Sequence, residues 1–384
     1  MIYIHNATLF TPSGLLDHGA MLINGETITA VGREGDLPCP ADAHLFDAKG
    51  QNLVPGFIDL QINGAFGMDF TSSLETIWQV GERLTGFGVT SFLPTIISSP
   101  PEITRKAQAC LQKGPPNGYH GARAIGLHLE GPYLNPEKHG AHNPDYLCQP
   151  QPEVYEHWSP ASFVRLVTLA PELPGAITAI QTLVKHGVVV CAGHSQASLD
   201  QSQDSFKAGI RYGTHLFNAM PPFDHRRPGL VGALLADHRL TAGMIVDGIH
   251  LHPVTVKLAW QTLGPQRTSL VTDAMAALGM PSGEYSLGGR TVYVDGSSAK
   301  LTDGLLAGSL LSLDQALNNL VKFTGCSLEE ALPTITRVPA HLLGLDSSLG
   351  NLIVGAKADL VLLTSDMQVT GVWLNGRQIL PAPD

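Results

Sequence analysis

Charge is scarce in this chain: only 15% of its 384 residues are Asp, Glu, Lys or Arg. What there is leans acidic, 33 against 23, for a formal net charge of −10. That balance argues against general nucleic-acid binding but leaves room for a local basic pocket. Cysteine is scarcer still. The five, at positions 39, 110, 148, 191 and 326, form no CxxC pair and no even framework. This fits a reduced, cytoplasmic protein better than a disulfide-stapled secreted one. No apolar run is long enough to span a bilayer, and the opening Met-Ile-Tyr-Ile-His-Asn has no basic leader, so no membrane partner is expected. No dinucleotide fingerprint or phosphate-cradling loop opens any helix, and no repeat or low-complexity tract is present. What remains is a 43% apolar chain, long enough for one barrel plus a small appendage.

The two ends read alike. Ala20–Ile23 and Thr27–Val31 flank Asn24-Gly25, and runs at 359–363 and 369–374 precede Asn375-Gly376, both two-residue turn signals. Residues 1–53 and 350–384 are therefore expected to pair into one discontinuous β-sandwich domain wrapped around an insert, 54–349. The insert alternates strand-like and helix-like text. Strands are expected after Gly56, Gly88, Ala124, Val164, Gly187, Tyr212, Ala242 and Ser269, with amphipathic stretches such as 74–87, 102–113 and 176–186 between them. Gly187 reads as a helix stop. Eight alternations point to an α/β chain built on a (β/α)8, TIM-like barrel rather than an open sheet.

Four polar residues close short apolar runs. Glu130 ends Ala-Ile-Gly-Leu-His-Leu-Glu, His194 ends Val-Val-Val-Cys-Ala-Gly-His, His215 stands in Tyr-Gly-Thr-His-Leu-Phe-Asn, and Asp273 ends Ser-Leu-Val-Thr-Asp. In a parallel barrel such strand ends converge on one mouth. One carboxylate and two imidazoles suit a catalytic divalent ion, zinc first and iron(II) as the alternative, with a position left open for water. Either histidine alone would read as a hydrogen-bonded strand-end residue, but together the set points to a metal. Asp273 could accept a proton from the activated water, although a helix N-cap is the plain alternative. Cys191, inside its apolar run, reads as buried filler rather than a nucleophile.

The text around these residues is specific. Pro55-Gly56-Phe57-Ile58-Asp59-Leu60-Gln61-Ile62-Asn63-Gly64, HLEGP, AGHS, THLFNAM, Asp247-Gly248-Ile249-His250, VTDA and Leu306-Ala307-Gly308-Ser309 together resemble the amidohydrolase superfamily and, within it, the N-acetylglucosamine-6-phosphate deacetylase family. The resemblance implies a hydrolase that removes acetate from N-acetyl-D-glucosamine 6-phosphate in amino-sugar catabolism. It implies a metal on Glu130, His194 and His215, and Asp273 as proton shuttle. It further implies that His142 contacts the sugar and polarises the amide carbonyl, and that Ala141, Asn218, Ala219 and Leu306 to Gly308, with Ala307 between them, line the sugar.

One departure matters. Many superfamily members carry His-x-His at the end of the first barrel strand for a second metal, where this chain has Gln61 and Asn63. Neutral amides are poor ligands, so one divalent ion per subunit is expected. Phe223 to Pro228 concentrates positive charge in an acidic chain, and arginine's planar fork suits phosphate. Read alone, it is a solvated basic turn. The resemblance assigns the phosphate to Arg226 and His250, and implies a homodimer in which Arg226 reaches the neighbouring site. The rival readings are a deacetylase of the galactosamine 6-phosphate epimer, another amidohydrolase such as a cyclic-amide hydrolase, and a metal-free scaffold.

Overall fold

The strand that follows Gly56 (Phe57–Ile62) is buried at every position, and so is the one that follows Gly88 (Val89–Ile97). Strands without a wet face belong to a parallel sheet covered on both sides. The computed structural model, which describes residues 1–380, places them in a nine-stranded sheet. Its main course is Phe57–Ile62, Val89–Ile97, Leu127–Glu130, Val164–Leu169, Val189–Ala192, Tyr212–Gly213, Thr241–Met244 and Thr268–Leu270, all in parallel pairs. A short strand, Arg123–Ala124, pairs beside the second. Parallel bridges from Ile62 to Ala274 and from Ala274 to Ser309 bring the last strand's exit back to the first. The result is a nearly closed eight-stranded parallel barrel, with a strand in each of the eight expected places.

The helices between the strands follow the 3.6-residue period. Ala176–Lys185 turns Ala176, Ala179, Ile180 and Leu183 inward, and Gly187 ends it at φ +82°. Leu74 to Phe87 is shorter as a helix than expected, Thr76–Leu84 followed by a 3-10 turn.

The two ends of the described chain share one eight-stranded sheet. In it, Leu360–Leu363 pairs with Asn52–Pro55, which joins Ile2–Thr11. Ile4, Leu9, Met21, Leu53, Leu360, Leu362 and Trp373 form a core separate from the barrel's. The hairpin turn near Asn24 consists of Gly25 and Glu26, because Asn24 itself pairs with Thr27. Residues 381–384, the end of the expected 350–384 segment, lie outside the described residues.

An element not expected from sequence sits over the barrel mouth. Gly283–Leu287, Arg290–Val294 and Ala299–Lys300 form a three-stranded antiparallel sheet with its own small core of Leu287, Val292 and Val294. Among the described residues no helix is long and apolar enough to cross a membrane. Cys191 is buried and free, and burial pushes its thiol well above the ordinary value, in keeping with filler.

Candidate active site

Glu130 is the last residue of its strand, while His194, His215 and Asp273 each follow a strand by two or three residues. The last three take φ values of +49°, +28° and +47°, a left-handed turn that L residues adopt at a cost of order 1–3 kcal/mol. Glu130, His194 and His215 are buried, Asp273 is half-buried, and all four reach one mouth. They line a cavity of about 490 Å³ together with Asn63, Lys138, Ala141, His142, Asn218, Ala219, His250, Leu306 and Gly308.

Hydrogen-bond partners fix the ring protons. His194 Nδ1 lies 2.8 Å from the Lys138 carbonyl oxygen, which can only accept, so Nδ1 carries the proton. Burial pushes His194 down to about 4, against the pull of Glu130, so the ring is neutral and Nε2 presents a lone pair. That lone pair faces Glu130 Oε1 at 3.1 Å and His215 Nε2 at 3.0 Å. His215 Nε2 is in turn 3.0 Å from the same oxygen. Burial opposes ionisation of Glu130, but its contacts with His142, His194 and His215 hold it well below the ordinary value. Three electron-rich atoms thus converge, with at most one proton to share on His215. With no proton between them such a set is repulsive, and two imidazole nitrogens with a carboxylate suit a divalent ion. The Lys138 carbonyl behind His194 is the kind of outer partner that orients a ligating imidazole.

Asp273 faces the same space. Burial, then the Glu130 charge, pushes its carboxyl up to about 6. Its Oδ1 accepts from Asn63 Nδ2 at 2.7 Å and Gln61 Nε2 at 3.2 Å, and Gln61 Nε2 also donates to Glu130 Oε1 at 2.9 Å. The Gln61 and Asn63 amides act as donors to the carboxylates.

His142 Nδ1 accepts the Ser98 backbone N–H at 3.2 Å and lies 2.9 Å from Ser98 Oγ. Its ring proton therefore sits on Nε2, directed toward the cluster of Glu130, His194 and His215, 3.6 Å from Glu130 Oε2. Arg290 Nη1, from the unexpected small sheet, donates to the Ala141 and His142 carbonyl oxygens at 3.2 Å each. Ser98 and Arg290 escaped the sequence reading. Ser98 carried a signal, a polar residue just past an apolar strand, whereas Arg290 had none in its own neighbourhood. His250 gives its Nδ1 proton to Asp247 Oδ2 at 2.7 Å. Burial opposes ionisation of Asp247, but that bond helps hold its carboxyl below the ordinary value.

Two residues expected to meet the substrate do not line this cavity. Ala307 is fully buried behind the wall and does not line the cavity. Arg226 lies on an exposed turn closed by Asp224 Oδ1, which accepts the Arg226 and Arg227 N–H groups at 2.8 and 2.9 Å. Lys138, which does line the cavity, was not singled out from sequence.

A family model described as the amidohydrolase family matches residues 52–379. The chain belongs to the amidohydrolase family. Its relatives there include the Homo sapiens protein named N-acetylglucosamine-6-phosphate deacetylase, 41% identical over 353 residues that cover 88% of this chain and 85% of that one. The Bacillus subtilis (strain 168) protein of the same name is 33% identical, covering 96% and 94%. Among solved structures, the Pasteurella multocida N-acetylglucosamine-6-phosphate deacetylase superposes with a TM-score of 0.91 at 33% identity, over 98% of this chain and 99% of that one. A Mycobacterium smegmatis mutant in complex with N-acetyl-D-glucosamine-6-phosphate gives 0.90 at 35%, over 99% of each.

Proposed function

We propose that this amidohydrolase is a metal-dependent deacetylase that hydrolyses N-acetyl-D-glucosamine 6-phosphate to D-glucosamine 6-phosphate and acetate. The observation that carries the reading is the triangle of Glu130 Oε1, His194 Nε2 and His215 Nε2, with edges of 3.0–3.1 Å, beside a half-buried aspartate of raised pKa. Relatives of that name across the chain's length support it.

One divalent ion held by those three residues, zinc first and iron(II) as the alternative, would act as Lewis acid and bring nearby water toward a pKa of about 7. The chain's own groups do the rest. His142 Nε2–H donates to the acetamide oxygen as negative charge grows there. Asp273 accepts the proton of the attacking water, and the new C–O bond forms at the acyl carbon. The same carboxyl then hands that proton to the nitrogen as the C–N bond breaks, releasing the amine and acetate. Ala141, Asn218, Ala219, Leu306 and Gly308 line the sugar, with Ala307 packed behind them, while His250 takes the phosphate. Arg226, whose guanidinium has no partner among the described residues, is assigned to the phosphate of the neighbouring subunit's site in a homodimer.

We assign residues 1–53 and 350–384 to a small β-sandwich domain and 54–349 to the barrel, supported by the shared terminal sheet and its separate core. A cytoplasmic location fits a protein acting on a phosphorylated sugar. The test is acetate release from N-acetylglucosamine 6-phosphate, the galactosamine epimer and unphosphorylated N-acetylglucosamine. Preference for the galactosamine epimer would favour the rival reading, and indifference to phosphate would remove Arg226 and His250 from their roles.

A further inference from the structure

Glu172 lies three residues beyond the fourth barrel strand, Val164–Leu169, and belongs to none of the roles above. Its carboxylate is fully engaged. Oε2 accepts from Ser195 Oγ at 2.7 Å, and Oε1 accepts from the Gln196 N–H at 2.6 Å and from Asn135 Nδ2 at 2.8 Å. Ser195 and Gln196 directly follow His194.

Asn135 closes the other side. Its N–H donates to the His194 carbonyl oxygen at 2.9 Å. Its side-chain oxygen accepts the Glu137 N–H at 2.9 Å, opening the turn Pro136–Lys138. That turn ends at the Lys138 carbonyl, which receives the His194 Nδ1 proton at 2.8 Å. One carboxylate therefore holds both the backbone on which His194 sits, in its left-handed conformation, and the turn that orients its ring.

We infer that Glu172 is a positioning residue for His194, setting the direction of the Nε2 lone pair and thereby the affinity of the three-ligand site for its metal. The inference rests on the metal reading of Glu130, His194 and His215. Outer partners of ligating histidines typically contribute about tenfold to a hundredfold in metal affinity. A carboxylate with three donors can do so without touching the ion. Gln at 172 keeps the oxygen that serves Gln196 and Asn135, and its amide can face Ser195 Oγ as a donor.

The test is titration of the metal-stripped full chain with Zn2+ against a chromophoric chelator, with the Co2+ absorption band as a geometric readout. Glu172→Ala should weaken Zn2+ binding by about tenfold to a hundredfold and alter the Co2+ band. Glu172→Gln should stay close to the unaltered chain, and Asn135→Ala should weaken binding in the same sense as Glu172→Ala. Arg123→Ala cuts a pair with Asp359 remote from the site and serves as the destabilised control, with metal affinity expected unchanged. Unaltered Zn2+ affinity in Glu172→Ala, or equal weakening in Arg123→Ala, would overturn the positioning role. Failure of the unaltered chain to bind Zn2+ would instead overturn the metal reading, and the Glu172 role with it.

Discussion

Asn63 Nδ2 donates to Asp273 Oδ1 at 2.7 Å. Asn63 thus holds the carboxylate assigned to proton transfer. Replacing it should therefore disturb catalysis rather than metal content. Asn63→Ala is expected to lower kcat by about tenfold to a hundredfold with little change in KM, since a hydrogen bond to a charged group contributes about 1.5–3 kcal/mol. Steady-state acetate release and metal analysis on the same preparation check both halves.

The metal site should stabilise the fold as well as serve the reaction. Purified chain is expected to carry one equivalent of divalent metal, and His215→Ala almost none. Chelation should lower the thermal midpoint, and added Zn2+ should restore it. A ligand at a hundred times its Kd adds about 2.7 kcal/mol. A second equivalent bound with comparable affinity would contradict the reading of Gln61 and Asn63 as neutral donors.

His142 is read as the donor to the acetamide oxygen because Ser98 occupies its Nδ1. Removing such a donor costs about a hundredfold to a thousandfold in kcat. His142→Ala should show that loss with metal content intact, and Ser98→Ala, which keeps the backbone N–H, a smaller one. A His142→Ala variant with unchanged kcat would remove the residue from the mechanism.

Asp59 yields a prediction about pH. It is buried beneath the site, with Oδ2 accepting from Thr272 Oγ1 at 2.6 Å, and burial pushes its carboxyl from 3.8 to about 7. The folded chain keeps a proton that the unfolded chain releases near 3.8, so this group's contribution to stability falls as pH rises through that window and levels off above about 7. The steepest slope is about 1.4 kcal/mol per pH unit. Asp59→Asn should flatten it when urea midpoints of the two chains are compared at equal metal load. Parallel curves would contradict the raised pKa.

The barrel was legible because its strands are short apolar runs, and the site because polar residues end those runs. Glu130, His194, His215 and Asp273 break a pattern that burial otherwise imposes, so their chemistry shows in the text. The sheet over residues 283–300 was missed although Gly288-Gly289 is a hairpin signal between alternating strands, because its exposed faces lack the apolar density of the barrel. Arg290 and Glu172 act across elements distant in sequence, and no local pattern marks them. Arg226 illustrates the opposite limit. Its charge is conspicuous in the sequence, yet it lies on an exposed turn outside the cavity lining, and no local pattern shows what it meets.

The most direct test of the account is acetate release from N-acetylglucosamine 6-phosphate by Asp273→Asn, with metal content measured on the same sample. An asparagine keeps the shape and can still meet Asn63, but it cannot carry the proton from water to the departing amine. The account predicts a full complement of metal and a kcat lower by about a hundredfold to ten-thousandfold. Full activity in that variant would contradict it.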